Sequence, residues 1–128
     1  MKKVLYAAMM ALVMCCFIGC TPRASMGSEP KLDQTNSTLD GQHYDNTTYK
    51  CWKLTWETVE KETGVPDVRE HGVDYYWTTE LMAQYQKALF LYSHNMSASA
   101  SGESYSISGT CTLEETPDDE STCYSNDY

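Results

Sequence analysis

The sequence predicts an α+β fold in which a small antiparallel sheet packs against one amphipathic helix, with its elements in the order β-β-α-β. Three observations lead to this prediction. Aromatic residues alternate with polar ones around Trp52, an apolar stripe with helical spacing begins at Leu81, and alternation with Ser and Thr returns around Ile107. The length of 128 residues allows one domain, which we expect to span residues 49–113.

The first predicted strand lies in the stretch YKCWKLTWETVE. Trp52, Leu54 and Trp56 alternate with polar residues, which is the period of a strand with one buried face. A helix is the rival interpretation, because Trp52 and Trp56 would share a helical face and Gly64 and Pro66 follow like a helix stop. Leu54 would point away from that face, so the strand is favoured.

A second strand and the helix follow. The stretch KETGVPDVREHG has the composition of a turn, and VDYYWTT after it is rich in β-branched and aromatic residues, as strands are. Thr78 is the expected helix cap, and Glu80 lies in the first turn, where the helix dipole favours an anion. His94 and Asn95 are expected to end the helix. Its apolar stripe consists of Leu81, Met82, Tyr85, Ala88, Leu89 and Tyr92.

The last predicted strand comes after a Ser-rich connector. Its apolar or small residues alternate with Ser and Thr, which indicates one buried face and one hydroxylated face. Beyond it, residues 114–128 form an acidic stretch that we expect to be a solvated, mobile tail. The alternating positions are Tyr105, Ile107, Gly109, Cys111 and Leu113.

Charge limits the classes of partner. Nine basic residues stand against 18 acidic ones, so the net charge is −9 and the pI is near 4.6. Nucleic acids and anionic membrane surfaces select for Lys and Arg, so neither is expected as a ligand. A protein partner with a basic surface fits this charge.

The N-terminus has the pattern of a signal peptide. Lys2 and Lys3 precede an uninterrupted apolar run, Val4 to Ile18, after which the chain becomes polar. At roughly 1.5 Å per residue this run would reach about 22 Å as a helix, short of the roughly 30 Å hydrocarbon core of a bilayer. A membrane-spanning helix is therefore disfavoured.

The end of this run, Phe17-Ile18-Gly19-Cys20, resembles the lipobox of bacterial lipoproteins. The resemblance covers residues 1–20 only. It implies that residues 1–19 are a lipoprotein signal peptide cleaved between Gly19 and Cys20. It also implies that the sulfur of Cys20 carries a diacylglyceryl thioether and that its amine is acylated, for example by palmitate.

The resemblance also predicts a location. Thr21 stands where an Asp would retain an enteric-type lipoprotein in the inner membrane, so it implies sorting to the outer membrane. No acidic cluster follows Cys20, since the first acid is Glu29, which favours a periplasm-facing anchor over the cell surface. Residues 20–48 are polar and poor in aliphatics, and are expected to form a flexible tether.

Three cysteines would remain after cleavage. Cys51, Cys111 and Cys123 would lie in an oxidising compartment, where they allow at most one internal disulfide. Cys51 points away from Trp52 while Cys111 shares the apolar face of its strand, so these two are poorly placed to pair. Cys111 with Cys123 would close a short acidic loop, and the pairing stays open. The odd cysteine predicts a disulfide-linked dimer.

No catalytic or metal-binding pattern stands out. His43, His71 and His94 have no metal-ligand spacing, and the tail lacks the alternating acids and Gly of a calcium loop. We therefore expect no cofactor, no metal and no enzymatic activity.

The aromatic composition favours binding. The chain has 10 Tyr and 3 Trp but only 2 Phe, and Tyr suits a wet interface because its ring packs while its hydroxyl stays hydrated. Tyr75, Tyr76 and Trp77 are the predicted binding surface. The leading hypothesis is an envelope lipoprotein that binds a basic protein, of inhibitor or immunity type. The alternative is a carbohydrate-binding accessory lipoprotein.

Overall fold

The computed structural model describes residues 23–26 and 28–126, with side chains from residue 28 onward. The predicted lipidation site, Cys20, lies outside these residues. The α+β class is confirmed, with more strands than the sequence predicted. The strands are β1 (Arg23–Met26), β2 (Leu32–Asp33), β3 (Thr38–Leu39), β4 (Gln42–His43), β5 (Lys50–Glu62), β6 (Val65–Thr78), β7 (Met96–Ala100) and β8 (Glu103–Thr116), and the helices are α1 (Glu80–Ser93) and α2 (Glu120–Asn126).

The main sheet has five antiparallel strands in the order β1-β7-β8-β5-β6. The predicted strand at Trp52 is confirmed, because β5 pairs with β6 on one side and with β8 on the other. The stretch KETGVPDVREHG, predicted as a turn, is mostly strand. Only Thr63 and Gly64 make the turn, and Gly64 takes the positive φ of 77° that it requires. Because this part of β6 is mostly exposed, it needs no apolar alternation that a sequence pattern could show.

The Ser-rich connector is also a strand. Met96 and Ala98 are buried while Ser97 and Ser99 are exposed, so β7 alternates as a half-buried strand should. A two-residue turn with φ of 54° and 80° at Ser101 and Gly102 joins it to β8. The sequence did not reveal this alternation because Ala98 on the inner face is too small to give a clear apolar signal.

Helix α1 covers one face of the sheet. Its N-cap is Thr79 rather than the predicted Thr78, and the Thr79 hydroxyl accepts the Met82 N–H at 3.3 Å. At the other end, the Asn95 side chain donates to the carbonyl of Gly109 at 3.0 Å and accepts its N–H at 3.3 Å, which joins the helix end to β8. These hydrogen bonds tie the end of the helix to the sheet.

The predicted flexible tether is folded from residue 28 onward. Strands β2, β3 and β4 form a second antiparallel sheet, and Leu39 in it is buried. The chain then meets the start of α1, where the Leu81 N–H donates to the Asp45 carbonyl at 2.9 Å. The Thr79 hydroxyl donates to Asn46 at 3.0 Å. The polar composition suggested disorder because these contacts use turns and backbone hydrogen bonds rather than apolar burial.

The predicted mobile tail is also ordered up to residue 126. Strand β8 continues to Thr116, past the predicted boundary at residue 113, and α2 follows. Asp119 precedes this helix and accepts the Thr122 N–H at 2.8 Å. A disulfide joins Cys51 to Cys123, whose Cα atoms are 5.6 Å apart, and both residues are fully buried. This pairing anchors the tail to β5.

Candidate binding groove at the edge of the sheet

The two faces of the sheet differ in what covers them. Residues paired directly across an antiparallel ladder point to the same face. Trp56 is paired with Cys111 and stacks near Phe90 of α1, with ring centroids 5.8 Å apart, so α1 covers this face. Cys51 points to the opposite face, where its disulfide holds α2. Strand β6 is the edge strand between the two helices.

A groove of about 310 Å³ lies at the C-terminal end of β6. Thr78, the last residue of the strand, also borders it. We call it the aromatic groove, and it is lined by Tyr75, Tyr76, Trp77, Met82, Gln86 and Tyr124.

The register explains why α2 reaches this groove. Cys51 pairs with Trp77, so the disulfide to Cys123 places the next residue, Tyr124, beside the end of β6. On the other face, Trp52 pairs with Tyr76, while Met82 and Gln86 lie one helical turn apart on α1. The groove therefore draws side chains from the edge strand and from both helices.

The exposure of these side chains suits a wet binding surface. Tyr124 is 52% exposed, and the three aromatic residues of β6 are half-buried. Aromatic rings that are held by packing yet open to solvent bury large areas on binding and lose little conformational entropy.

Two acidic residues are close in sequence to residues that line the groove. Glu80 begins α1 two residues after Thr78, and Glu120 lies one turn before Tyr124 on α2. Lys50, which pairs with Thr78, forms an ion pair with Glu115 at 3.2 Å.

The free cysteine, Cys111, is half-buried. Cys111 lies on the helix-covered face with its sulfur 4.0 Å from the Lys87 carbonyl, and burial raises the pKa of this thiol. Less thiolate at neutral pH means slower reaction with oxidants or other thiols. The predicted disulfide-linked dimer would have to form through Cys111 and stays a prediction.

A second cleft of about 280 Å³ lies under the C-terminal end of α1. There the Trp56 indole donates to Asp74 at 3.1 Å, and Glu60 and Glu70 line the wall. His94 stacks on Phe90 with its Nδ1 2.9 Å from the Phe90 carbonyl, so this ring closes the helix end. These contacts give Asp74 and His94 structural roles.

The three histidines lie apart from one another. His43 lies on β4 and His71 on β6, both exposed, while His94 ends α1. Within residues 28–126, no three His, Cys, Asp or Glu side chains come close enough to hold a metal ion. In the same part of the chain, no helix is long and apolar enough to cross a bilayer.

The three residues of the predicted surface all line the aromatic groove, although their side chains lie on two different faces of the sheet. Tyr75 and Trp77 share the face that carries α2, while Tyr76 lies on the face of α1. The sequence analysis missed Met82, Gln86 and Tyr124. A predicted disulfide between Cys51 and Cys123 would have placed Tyr124 near β6. Met82 was missed because its spacing assigned it to the apolar stripe of the helix.

Comparison with protein-family models, with curated proteins and with solved structures finds no match to this chain. The class of protein must therefore be argued from the groove itself.

Proposed function

We propose that this protein is a lipid-anchored lipoprotein of the bacterial envelope that binds another protein without catalysing a reaction. The aromatic groove is the observation that carries the proposal. Its half-exposed rings have the composition of a protein-recognition surface, and the net charge of −9 favours a basic partner. A role as an inhibitor of, or immunity protein against, a basic enzyme or toxin fits within this proposal.

The anchor is assigned to Cys20 on the lipobox. In this proposal Cys20 is held in the outer membrane on its periplasmic side, and the domain lies close to the bilayer. Only Thr21 and Pro22 separate Cys20 from β1, which begins at Arg23. Strand β6 lies four strand spacings from β1, or roughly 19 Å, so the aromatic groove would face away from the anchored edge.

Photo-crosslinking tests the binding role. A photoreactive amino acid at position 124 of the full-length protein in cells should trap one stoichiometric partner with a basic surface. The same group at Thr110, an exposed residue of β8, is the matched control and should trap none. Absence of an adduct at position 124, or equal adducts at both positions, would contradict the proposal.

Mass spectrometry tests the anchor separately. The mature protein should begin at Cys20 and carry the mass of a diacylglyceryl group, and Cys20→Ala should abolish it. Cys16→Ser is the control and should leave lipidation intact, because Cys16 lies within the predicted signal peptide. Recovery of a protein that retains residues 1–19 with a free Cys20 thiol would refute the envelope assignment.

A carbohydrate ligand is the second candidate. Tyr75 and Trp77 lie two residues apart on the same face of β6, an arrangement on which sugar rings could stack. In that case oligosaccharides should change the tryptophan fluorescence, and Trp77→Ala should abolish the change. No response to envelope-derived oligosaccharides would remove this candidate.

A further inference from the structure

Helix α2 buries a single one of its residues. Cys123 is fully buried, whereas every other residue of the helix is exposed. The helix sequence, ESTCYSN, has no aliphatic side chain, and so short a helix is unstable in water unless tertiary contacts hold it. The buried attachment of α2 is therefore its disulfide to Cys51.

Hydrogen bonds at the two ends of α2 are local. The carboxylate of Asp119 accepts the Thr122 N–H at 2.8 Å, and its carbonyl accepts the Cys123 N–H at 2.8 Å. The Asn126 side chain donates to Asp118 at 3.1 Å. These bonds shape the helix and join it to the segment that precedes it, so they can break together without disturbing the strands.

The core of the domain lies on the other face of the sheet. Cys51 and Leu54 are three positions apart on β5, so their side chains point to opposite faces. Leu54 is 1% exposed and lies on the face that α1 covers. Met96, Tyr105 and Ile107 form a buried cluster on the same face as Leu54. Unfolding of α2 therefore removes no side chain from this core.

The other cysteine of the described chain is poorly placed to interfere. Cys111 pairs with Trp56 and points to the face that α1 covers, whereas Cys51 points to the opposite face. Burial also raises the pKa of the Cys111 thiol, which leaves less of the reactive thiolate. Exchange among the sulfurs of residues 28–126 is therefore confined to Cys51 and Cys123.

We propose that α2 is a redox-controlled clasp on the aromatic groove. Reduction of the Cys51–Cys123 disulfide by a dithiol unfolds α2 and withdraws Tyr124 from the groove, while the five-stranded sheet and α1 stay folded. Oxidation restores both the helix and the groove. This inference goes beyond the proposed function, because it applies whether the groove binds a protein or a carbohydrate.

The chemistry is thiol–disulfide exchange. A thiolate of the reductant attacks one protein sulfur and forms a mixed disulfide, and the other cysteine leaves as a thiolate that takes a proton. The second thiol of the reductant then displaces the remaining cysteine, so two electrons pass to the protein and the reductant becomes a disulfide. A disulfide oxidant drives the reverse exchange in an oxidising compartment.

The sulfurs can be attacked only after α2 opens. Cys51 and Cys123 are both fully buried, so a reductant cannot reach either sulfur in the closed state. Because Cys123 is the one buried residue of α2, this opening is local and leaves the core packed. The rate of reduction should therefore follow the stability of α2 and not that of the whole domain.

Hydrogen exchange tests the clasp directly. The full-length protein, purified from cells in detergent, is compared before and after reduction with dithiothreitol at about pH 8, where part of the reductant is thiolate. Amides of residues 120–126 should exchange at least about tenfold faster after reduction, while those of β5, β8 and α1 keep their protection. Loss of protection along the whole chain, or continued protection of α2, would overturn the inference.

Two variants separate local opening from global unfolding. Asp119→Ala removes the cap of α2 and should speed reduction about fivefold. Gly72→Ala disturbs the packing of Trp56 on the opposite face and should change the rate by less than about twofold. Equal acceleration by both variants, or none by Asp119→Ala, would show that reduction requires global unfolding and would overturn the clasp.

These measurements need no ligand, so they fail or succeed independently of the proposed function. Photo-crosslinking at position 124 reports partner binding by the oxidised protein. Exchange and reduction rates report the clasp alone.

Discussion

Gly72 lies opposite Trp56 in the ladder between β5 and β6, and the indole ring occupies the space where a side chain would project. A Cβ at this position would lie 2.7 Å from Cε2 of the ring, which is closer than real contacts allow. The ring is also fixed by its hydrogen bond to Asp74 and by Phe90 above it. Glycine is therefore required here by packing.

Gly72→Ala should lower the free energy of unfolding by about 1 to 3 kcal/mol, because the indole must move out of its packed position. Urea denaturation followed by tryptophan fluorescence would measure the change. Val73→Ala is the matched control on the same strand, and its exposed side chain should change stability by less than about 0.5 kcal/mol. Equal effects of the two substitutions would contradict the packing argument.

Three aspartates at or near the surface stabilise turns in their charged form. Hydrogen bonds from Asn36 lower the pKa of Asp33, those from Thr47 lower the pKa of Asp45, and that from the Thr122 backbone lowers the pKa of Asp119. A carboxyl group with a lower pKa in the folded state stabilises the fold above its unfolded pKa of about 4 and loses that contribution as the pH falls through the folded value.

Stability should therefore decline as the pH falls below about 4. Asp119→Asn should reduce this decline, because an amide oxygen can still cap α2 but does not titrate in this range. Urea midpoints at pH 6 and pH 3, compared between wild type and variant, would measure it. The same loss in both proteins would show that Asp119 does not contribute.

At the scale of elements, α1 joins the two sheets. Its N-terminus is held by hydrogen bonds to Asp45 and Asn46, which follow the small sheet. Its C-terminal end is held by the hydrogen bond from the Asn95 side chain to Gly109 of β8. The apolar stripe predicted this helix and its contact with the main sheet. The contacts of its N-terminus were not predictable, because they involve polar residues more than thirty positions earlier in the chain.

Thr79→Ala should lower stability by about 1 to 2 kcal/mol, because the Met82 N–H loses its cap and Asn46 loses a hydrogen-bond donor. Thermal unfolding followed by circular dichroism would detect it. Thr79→Ser keeps the hydroxyl and serves as the control, which should stay within about 0.5 kcal/mol of wild type. A similar loss in both variants would indicate that the Thr79 methyl group matters instead.

At the scale of the molecule, the Cys51–Cys123 disulfide closes a loop with a sequence separation of 72. It joins the first long strand to the last helix and so encloses most of the folded chain. It also holds Tyr124 at the groove. One covalent bond therefore supports both stability and the proposed binding surface.

Replacing both cysteines with Ala should lower the free energy of unfolding by about 4 kcal/mol, from the conformational entropy that the unfolded chain regains. Binding of the proposed protein partner should fall as well, since α2 is released. Cys111→Ala is the control, because Cys111 forms no disulfide, and it should preserve partner binding. Unchanged binding by the doubly substituted protein would show that Tyr124 is not needed.

The sequence by itself determined the local elements whose burial pattern is periodic. Alternation around Trp52 and Ile107 defined two strands, the stripe from Leu81 defined the helix, and the alternation also showed that Cys51 and Cys111 point to different faces. Tyr75, Tyr76 and Trp77 are predicted to form a binding surface from their chemistry alone, and binding there stays a prediction.

Only the tertiary structure decided the rest. The early part of β6 is mostly exposed, the inner face of β7 carries small residues, and the segment before β5 is held by turns, so none of them shows a long apolar period. The disulfide forms because α2 packs beside β5, and the groove includes Tyr124 for the same reason. Contacts between residues distant in sequence created both, and no local pattern encodes such contacts.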